Sequence, residues 1–276
     1  MLKQSQPTTN GRRHRVDVVE QVLYRGKPEK SLLAPGHLKR SGRGFRGHVT
    51  VRHRGGGVKR RYRIVDFKLN KTDVEGVINR VEYDPNRSAF VALVHYLDGT
   101  KQYVIASEGM KPGDRIINSA KAEAKVGNTV PLSHSPLGVP IHNLEIEPGR
   151  GAKLVRSAGV GALIQSKDDK YATVLLPSKE IRLFKLDCLA TIGRIGNTDH
   201  KNEKIGKAGR KRLMGIRPTV RGTAQHPGSH PHGGGEGRSG IGLSHPKTPW
   251  GKPALGHKTR KNSKSRKMIV KDRRIK

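Results

Sequence analysis

Four histidines (His226, His230, His232 and His245), the carboxylate Glu236 and the single tryptophan, Trp250, fall within residues 217–253, RPTVRGTAQHPGSHPHGGGEGRSGIGLSHPKTPWGKP. Imidazoles gathered this closely suit three chemistries. They could ligate a metal ion with Glu236 nearby. One could serve as a general base, with Glu236 as its orienter or as the acid. Or they could hydrogen-bond to and stack on RNA, the Gly233-Gly234-Gly235 run allowing close packing against sugars and bases. The i, i+4, i+6 spacing of His226, His230 and His232 is not the helical HExxH pattern, and the intervening prolines and glycines forbid a helix. A catalytic site would lack a second carboxylate in the loop and a globular pocket around it. RNA contact is therefore favoured, ahead of structural packing, metal ligation and catalysis. Trp250, beside Pro249 and Gly251, reads as a stacking residue rather than a core one.

The loop has no apolar period of 2 or 3.6, so it cannot bury a face of its own. It is also too specific in composition for a plain tether. Something outside the protein must order it, and the charge says what. The 276 residues carry 56 Lys and Arg against 22 Asp and Glu, a net charge of +34. Residues 1–60 hold 15 basic and 3 acidic side chains, 61–200 hold 20 and 16, and 201–276 hold 21 and 3. A nearly balanced centre is flanked by two cationic arms that repel themselves and call for a polyanion. Nucleic acid fits; a membrane does not, because no apolar run approaches the roughly 18 residues of a spanning helix. Cys188, the only cysteine, excludes an internal disulfide and a Cys-rich zinc site, and its apolar surroundings predict a buried, inert thiol. The polar Met1–Asn10 stretch predicts no signal peptide.

Taken in order, 1–60 reads as an extended basic arm, with one short strand or turn over Val16–Leu23. Its Gly42, Gly44 and Gly47 make a formal GxGxxG. The flanks, Lys39-Arg40 and the strand-like His48–Val51, do not supply the strand before and helix after that a dinucleotide site requires. Glycine beside arginine instead lets backbone and guanidinium approach phosphates. Residues 61–125 predict short strands at Tyr62–Phe67, Val77–Tyr83, Phe90–Tyr96 and Gln102–Ala106, with turns at Asp84-Pro85-Asn86, Asp98-Gly99 and Lys111–Asp114. Residues 126–200 predict strands at Val139–Ile146, Gly161–Gln165, Tyr171–Leu176, Ile181–Leu186 and Ala190–Ile195. Neither region leaves room for crossover helices, so a mostly β chain with two small barrels follows. Glycines at 206, 209 and 215 limit any helix in 201–216, and the basic C-terminal tail reads as disordered by composition.

Several runs resemble one family, the universal large-subunit ribosomal protein two family. They are HVTVRHRGGG (48–57), RYRIVDF (61–67), EYDPNRS (82–88), GKAG (206–209), RPTVRG (217–222), HPHGGGEGR (230–238), TPWG (248–251) and KTRK (258–261). The resemblance runs from about Gly11 to the end, in bacterial or organellar wording. It implies an OB-fold barrel over 61–125 followed by an SH3-like barrel over 126–200, flanked by a basic N-terminal extension (1–60) and a Gly/His-rich and basic extension (201–276). It implies a non-enzymatic structural constituent of the large subunit, a primary rRNA binder supporting subunit association, tRNA placement and assembly of the peptidyl-transferase centre. The implied partners are large-subunit rRNA, neighbouring ribosomal proteins, and small-subunit rRNA or protein through an intersubunit bridge. No cofactor is implied, and Mg2+ enters as part of the rRNA environment. With about ten residues ahead of the matching region, no organellar presequence is evident, and the cytoplasmic ribosome of a bacterium is the expected location. His230, His232, Gly233, Gly234, Gly235 and Glu236 are expected to lie toward the peptidyl-transferase centre; nothing transfers to His226.

From the arms and the matched motifs together, the expected rRNA contacts in the N-terminal extension are Arg12, Arg13, Arg43, Arg46, Arg52, His53, Arg54, Lys59 and Arg60. In the β regions they are Arg61, Arg63, Arg87 and Arg156. In the C-terminal part they are Lys207, Arg210, Lys211, Arg212, Arg217, Arg221, Arg238, Trp250, Lys252, Lys258, Arg260 and Lys261. Two other readings remain: a His-loop metalloenzyme acting on RNA, which would purify with stoichiometric metal, and a free RNA chaperone, which would leave ribosomes in a high-salt wash.

Overall fold

A computed structural model describes residues 1–20, 22–35, 41–256 and 266–273. The chain is mostly β and divides into two compact units. The first comprises Met1–Leu38, Lys59–Lys207 and Lys264–Lys276; the second comprises Lys39–Val58 and Ala208–Ser263. Both β regions expected from the sequence fall in the first unit.

That unit begins with two short strands, β1 (Leu2–Gln4) and β2 (Val16–Val18), paired antiparallel, followed by β3 (Leu23–Tyr24). β4 (Gly76–Glu82), β5 (Val91–Tyr96), β6 (Lys101–Ile105) and β7 (Arg115–Ile116) then build a sheet of order β3-β4-β5-β6, with β7 also on β4. The register of β4 shifts between Ile78 and Arg80, a bulge that lets Ile78 and Val81 bury together although three residues apart. β5 is buried along Val91–Val94 because both of its faces are covered. Ala92 and Val94 pack with Ile78, Val81, Phe90 and Ile116, while Val91 and Leu93 pack with Val65, Tyr103, Ile105 and Ile195. Gly99, at φ 79, closes the β5–β6 hairpin where the Asp98-Gly99 signal predicts it.

The second sheet uses β8 (Thr129–Pro131), β9 (Pro140–His142), β12 (Ala162–Lys167), β13 (Tyr171–Leu175), β14 (Ile181–Lys185), β15 (Leu189–Ile192) and β16 (Ile269–Lys271), in the order β16-β14-β13-β12-β9-β15-β8. β10 (Leu144–Glu145) and β11 (Ala152–Leu154) pair separately. Here β12 and β13 alternate: Ala162 and Ile164, and Ala172 and Val174, face a core shared with Phe184, Ala190 and Ile192, and the residues between them in β12 and β13 are more exposed. Cys188 is buried in that core as a free thiol, as its apolar setting predicts.

The structure departs from the sequence reading in several places. Tyr62–Phe67 is extended but is no strand: Arg63 bridges Leu33 while Val65 bridges Tyr103, so its buried residues find two different partners. Val139–Ile146 breaks into β9 and β10 at Asn143, whose φ is +49. Residues 1–60 are not one arm, since 1–38 belongs to the first unit and 39–58 to the second. Val16, for example, exchanges backbone hydrogen bonds with Lys204 at 3.1 and 3.0 Å. The tail is not wholly irregular either, because β16 pairs with β14 and Leu183 N donates to Met268 O at 2.8 Å. A helix does form near 201–216, as the six residues of α1 (Ala208–Leu213).

Candidate nucleic-acid interface

The second unit contains no buried apolar side chain among its described residues; Gly55 and His230 are the buried ones. It carries 17 Lys and Arg, six in 39–58 and eleven in 208–263, against the single carboxylate Glu236. Backbone turns hold it together. In the first segment Gly42 O accepts from Thr50 N and Val51 N at 2.8 and 3.0 Å, and Gly44 N donates to His48 O at 2.8 Å. Gly42 is required there: its φ is +73, and a Cβ would lie 2.2 Å from Val51 O. No helix follows, so the formal GxGxxG forms a tight loop and not a dinucleotide cradle.

Gly55, Gly56 and Gly57 all have positive φ, at 130°, 65° and 80°. This bent run lies beside the end of α1: Gly55 N donates to Gly215 O, Val58 N to Leu213 O and Arg217 N to His53 O, each at 3.0 Å. His53 Nδ1 donates to Pro218 O at 2.9 Å.

The histidine loop builds on itself. His230 Nδ1 accepts from His232 N at 3.1 Å, and His232 Nε2 accepts from Lys247 N at 2.9 Å. The two rings are 4.8 Å apart and tilted by 58°. Gly222 packs face-on against His230; a Cβ there would stand 2.5 Å from Cε1. Gly233 N donates to His230 O at 2.8 Å, and Gly234 N to Gln225 O at 3.2 Å. A segment that no apolar period could order thus buries one side chain, an imidazole, under glycines. Glu236 is exposed. Among the described residues no three His, Cys, Asp or Glu side chains converge as a metal site would require. Trp250 is 74% exposed at the tip of a turn closed by Thr248 N to Lys252 O at 2.7 Å.

Of the basic residues singled out from sequence, Arg43, Arg46, Arg52, Arg54, Lys211, Arg212, Arg217, Arg221, Arg238 and Lys252 are exposed in the second unit, with His53 and Arg210 partly covered. Arg12, Arg13, Lys59, Arg61, Arg156 and Lys207 are exposed in the first unit, with Arg60 and Arg87 partly covered. Arg63 is placed differently: it is buried, with Nε on Glu82 Oε2 at 3.2 Å. Lys258, Arg260 and Lys261 lie outside the described residues. Sequence reasoning missed Glu82 and Asp84, which hold two of these arginines, Arg63 and Arg87, together with Arg80. Arg80 and Arg87 are near neighbours of these carboxylates in sequence, but Arg63 and Tyr103, 19 and 21 residues from Glu82, are not, and nothing local signals that all of them meet at buried carboxylates. It also missed His142, wholly buried in the first unit, with Nδ1 2.9 Å from Gly193 O and Nε2 3.2 Å from Ser107 Oγ.

Residues 29–118 match the family model described as Ribosomal Proteins L2, RNA binding N-terminal domain. Residues 125–251, which include the histidine loop, match the one described as Ribosomal Proteins L2, C-terminal domain. The two matches take in most strands of the two larger sheets and most of the glycine-rich cationic unit, and on them the chain belongs to the ribosomal protein L2 family.

Proposed function

We propose that the chain is a primary rRNA-binding constituent of the large ribosomal subunit in a bacterial cytoplasmic ribosome. Family membership supports the ribosomal, RNA-binding role in general. The observation that carries the specific reading is a unit with 17 cations, one carboxylate and no buried apolar side chain among its described residues. Its described residues offer no hydrophobic core to offset chain entropy and self-repulsion. A phosphodiester backbone supplies what it lacks: released counterions offset ordering, guanidiniums bind phosphates bidentately, and glycines admit close approach. In this reading His230, His232, Gly233–Gly235 and Glu236 enter RNA toward the peptidyl-transferase centre and support its assembly and tRNA placement. The β unit then lies at the subunit surface and takes part in the intersubunit bridge. The protein supplies architecture, not a reacting group.

Binding of the purified chain to large-subunit rRNA fragments across a salt series tests this. About ten phosphate contacts predict a loss of roughly three to five decades in affinity between 50 and 200 mM salt. One fragment should stay well above random RNA of equal length throughout. If all RNAs fall together, the chain is a general polyanion binder and the proposal fails.

A further inference from the structure

Glu82 and Asp84 are 2% and 0% exposed in a chain whose net charge is +34. Buried carboxylates are costly unless cations and hydrogen bonds surround them, and here both do. Glu82 Oε1 accepts from Arg80 Nε at 2.8 Å and Oε2 from Arg63 Nε at 3.2 Å, while the Tyr103 hydroxyl lies 3.0 Å from each oxygen. That hydroxyl oxygen accepts the Glu29 N–H at 2.9 Å. Asp84 Oδ2 accepts from Arg87 Nε at 2.6 Å, and Arg63 Nη1 stands 3.9 Å from Oδ1.

The turn that follows binds the neighbouring segment as well. Asn86 Nδ2 donates to Arg61 O at 2.7 Å, and Arg60 Nη1 donates to Pro85 O at 2.8 Å. Residues 60–67 form no strand, so these contacts and two single bridges set their course. The result is an ordered face that mixes arginine and aromatic side chains. The Arg87 guanidinium lies 5.9 Å from the Tyr62 ring and 5.5 Å from the Phe67 ring, and Arg156 lies 4.5 Å from Phe67. Tyr62 and Arg156 are exposed on it, and Arg61, beside Tyr62 in sequence, is exposed as well. The Asp84 contact uses Nε of Arg87 and leaves its terminal amino groups for phosphate.

We infer that Glu82 and Asp84 are positioning residues for RNA. They carry the wrong sign to bind it, yet they hold Arg87 and the Arg61–Tyr62 segment in the conformation that does. The inference rests on the rRNA-binding reading above. Long arginine side chains fixed before the encounter lose less conformational freedom on binding. The inference also has a sign that electrostatics alone does not give. Neutralising a carboxylate raises the net charge by one, which by itself tightens binding to every RNA. Loss of positioning weakens binding to the preferred RNA instead.

The test measures full-length wild type, Glu82→Gln, Asp84→Asn and the charge-conserving Tyr103→Phe against the preferred rRNA fragment and random RNA of equal length. A salt series is run well below each protein's melting transition. Asp84→Asn and Glu82→Gln should weaken the preferred fragment about tenfold and make its salt slope shallower by about one, as a phosphate contact is lost. Random RNA should be held as tightly as before or more tightly, and Tyr103→Phe should weaken the preferred fragment in the same direction. Unchanged or tighter binding of that fragment by the folded variants overturns the inference. Should Glu82→Gln melt below the assay temperature, Tyr103→Phe, which alters no charge, decides. Wild type that holds all RNAs alike overturns the rRNA reading itself; a wild-type preference that the variants keep overturns the positioning role alone.

Discussion

His142 is the residue whose environment most constrains its chemistry. A carbonyl can only accept, so the 2.9 Å contact with Gly193 O puts the ring proton on Nδ1, and Nε2 accepts from the Ser107 hydroxyl. A second proton would place a charge in a dry site, and burial pushes the pKa down to about 4 from its ordinary value near 6.5. The unfolded chain takes up that proton readily and the folded chain does not. The stability present above pH 6.5 therefore drains as pH falls, by about 3 kcal/mol once pH 4 is reached. Urea unfolding between pH 7 and pH 4 should show this slope, and His142→Gln should flatten it; parallel slopes would contradict the assignment. Cys188 is a second buried group, its thiol pushed up to about 11 mainly by burial. A disulfide reagent should modify it only on unfolding; rapid modification of native protein would refute the placement. His230 belongs to the other unit and to none of the apolar cores. His230→Ala should leave the main melting transition in place, speed amide exchange at His232, whose acceptor it removes, and impair large subunits late in assembly. A large drop in the melting temperature would contradict this.

Among the elements, the contact of the 55–57 glycines with the residues after α1 depends most sharply on single atoms. A Cβ at Gly57 would meet Leu213 O and Gly215 N at 2.8 Å, at a φ of +80. At Gly56, with φ +65, a Cβ would meet nothing within 4 Å. Gly57→Ala should thus break the pairings of Gly55 with Gly215 and Val58 with Leu213, and weaken rRNA binding well beyond what Gly56→Ala does. Neither should shift the melting of the β unit. Equal effects of the two substitutions would mean that backbone strain, and not the close approach, governs this junction.

For the whole molecule, the separation into a cored unit and one with no buried apolar side chain among its described residues makes the second unit's role separable by deletion. Removing 217–276 would also remove β16 from the second sheet, so a loss of incorporation would carry a stability effect within it. Replacing 217–263 with a flexible linker that keeps β16 is the cleaner experiment. It should leave a folded β unit that fails to incorporate stably into large subunits. Normal incorporation, read by sedimentation after a high-salt wash, would count against RNA threading by the loop.

Much of this was legible from residue types alone. The period-2 runs of β12 and β13, the Asp98-Gly99 hairpin and the sealed Cys188 follow from local pattern, because strand faces and tight turns are set by neighbours in sequence. The cationic arms and the HPHGGGEGR run also stand in the sequence itself, since charge and motif need no fold to be counted. Tertiary structure decided what depends on distant partners. It gathered 39–58 with 208–263, split Tyr62–Phe67 between two bridges, and returned residues 269–271 to β14. It buried His230 beneath Gly222 and His142 between a carbonyl and a hydroxyl. It also took Arg63 out of the set of exposed cations and spent it on Glu82. An arginine reads the same in sequence whether it will face a phosphate or a buried carboxylate; only the fold brings the carboxylate to it.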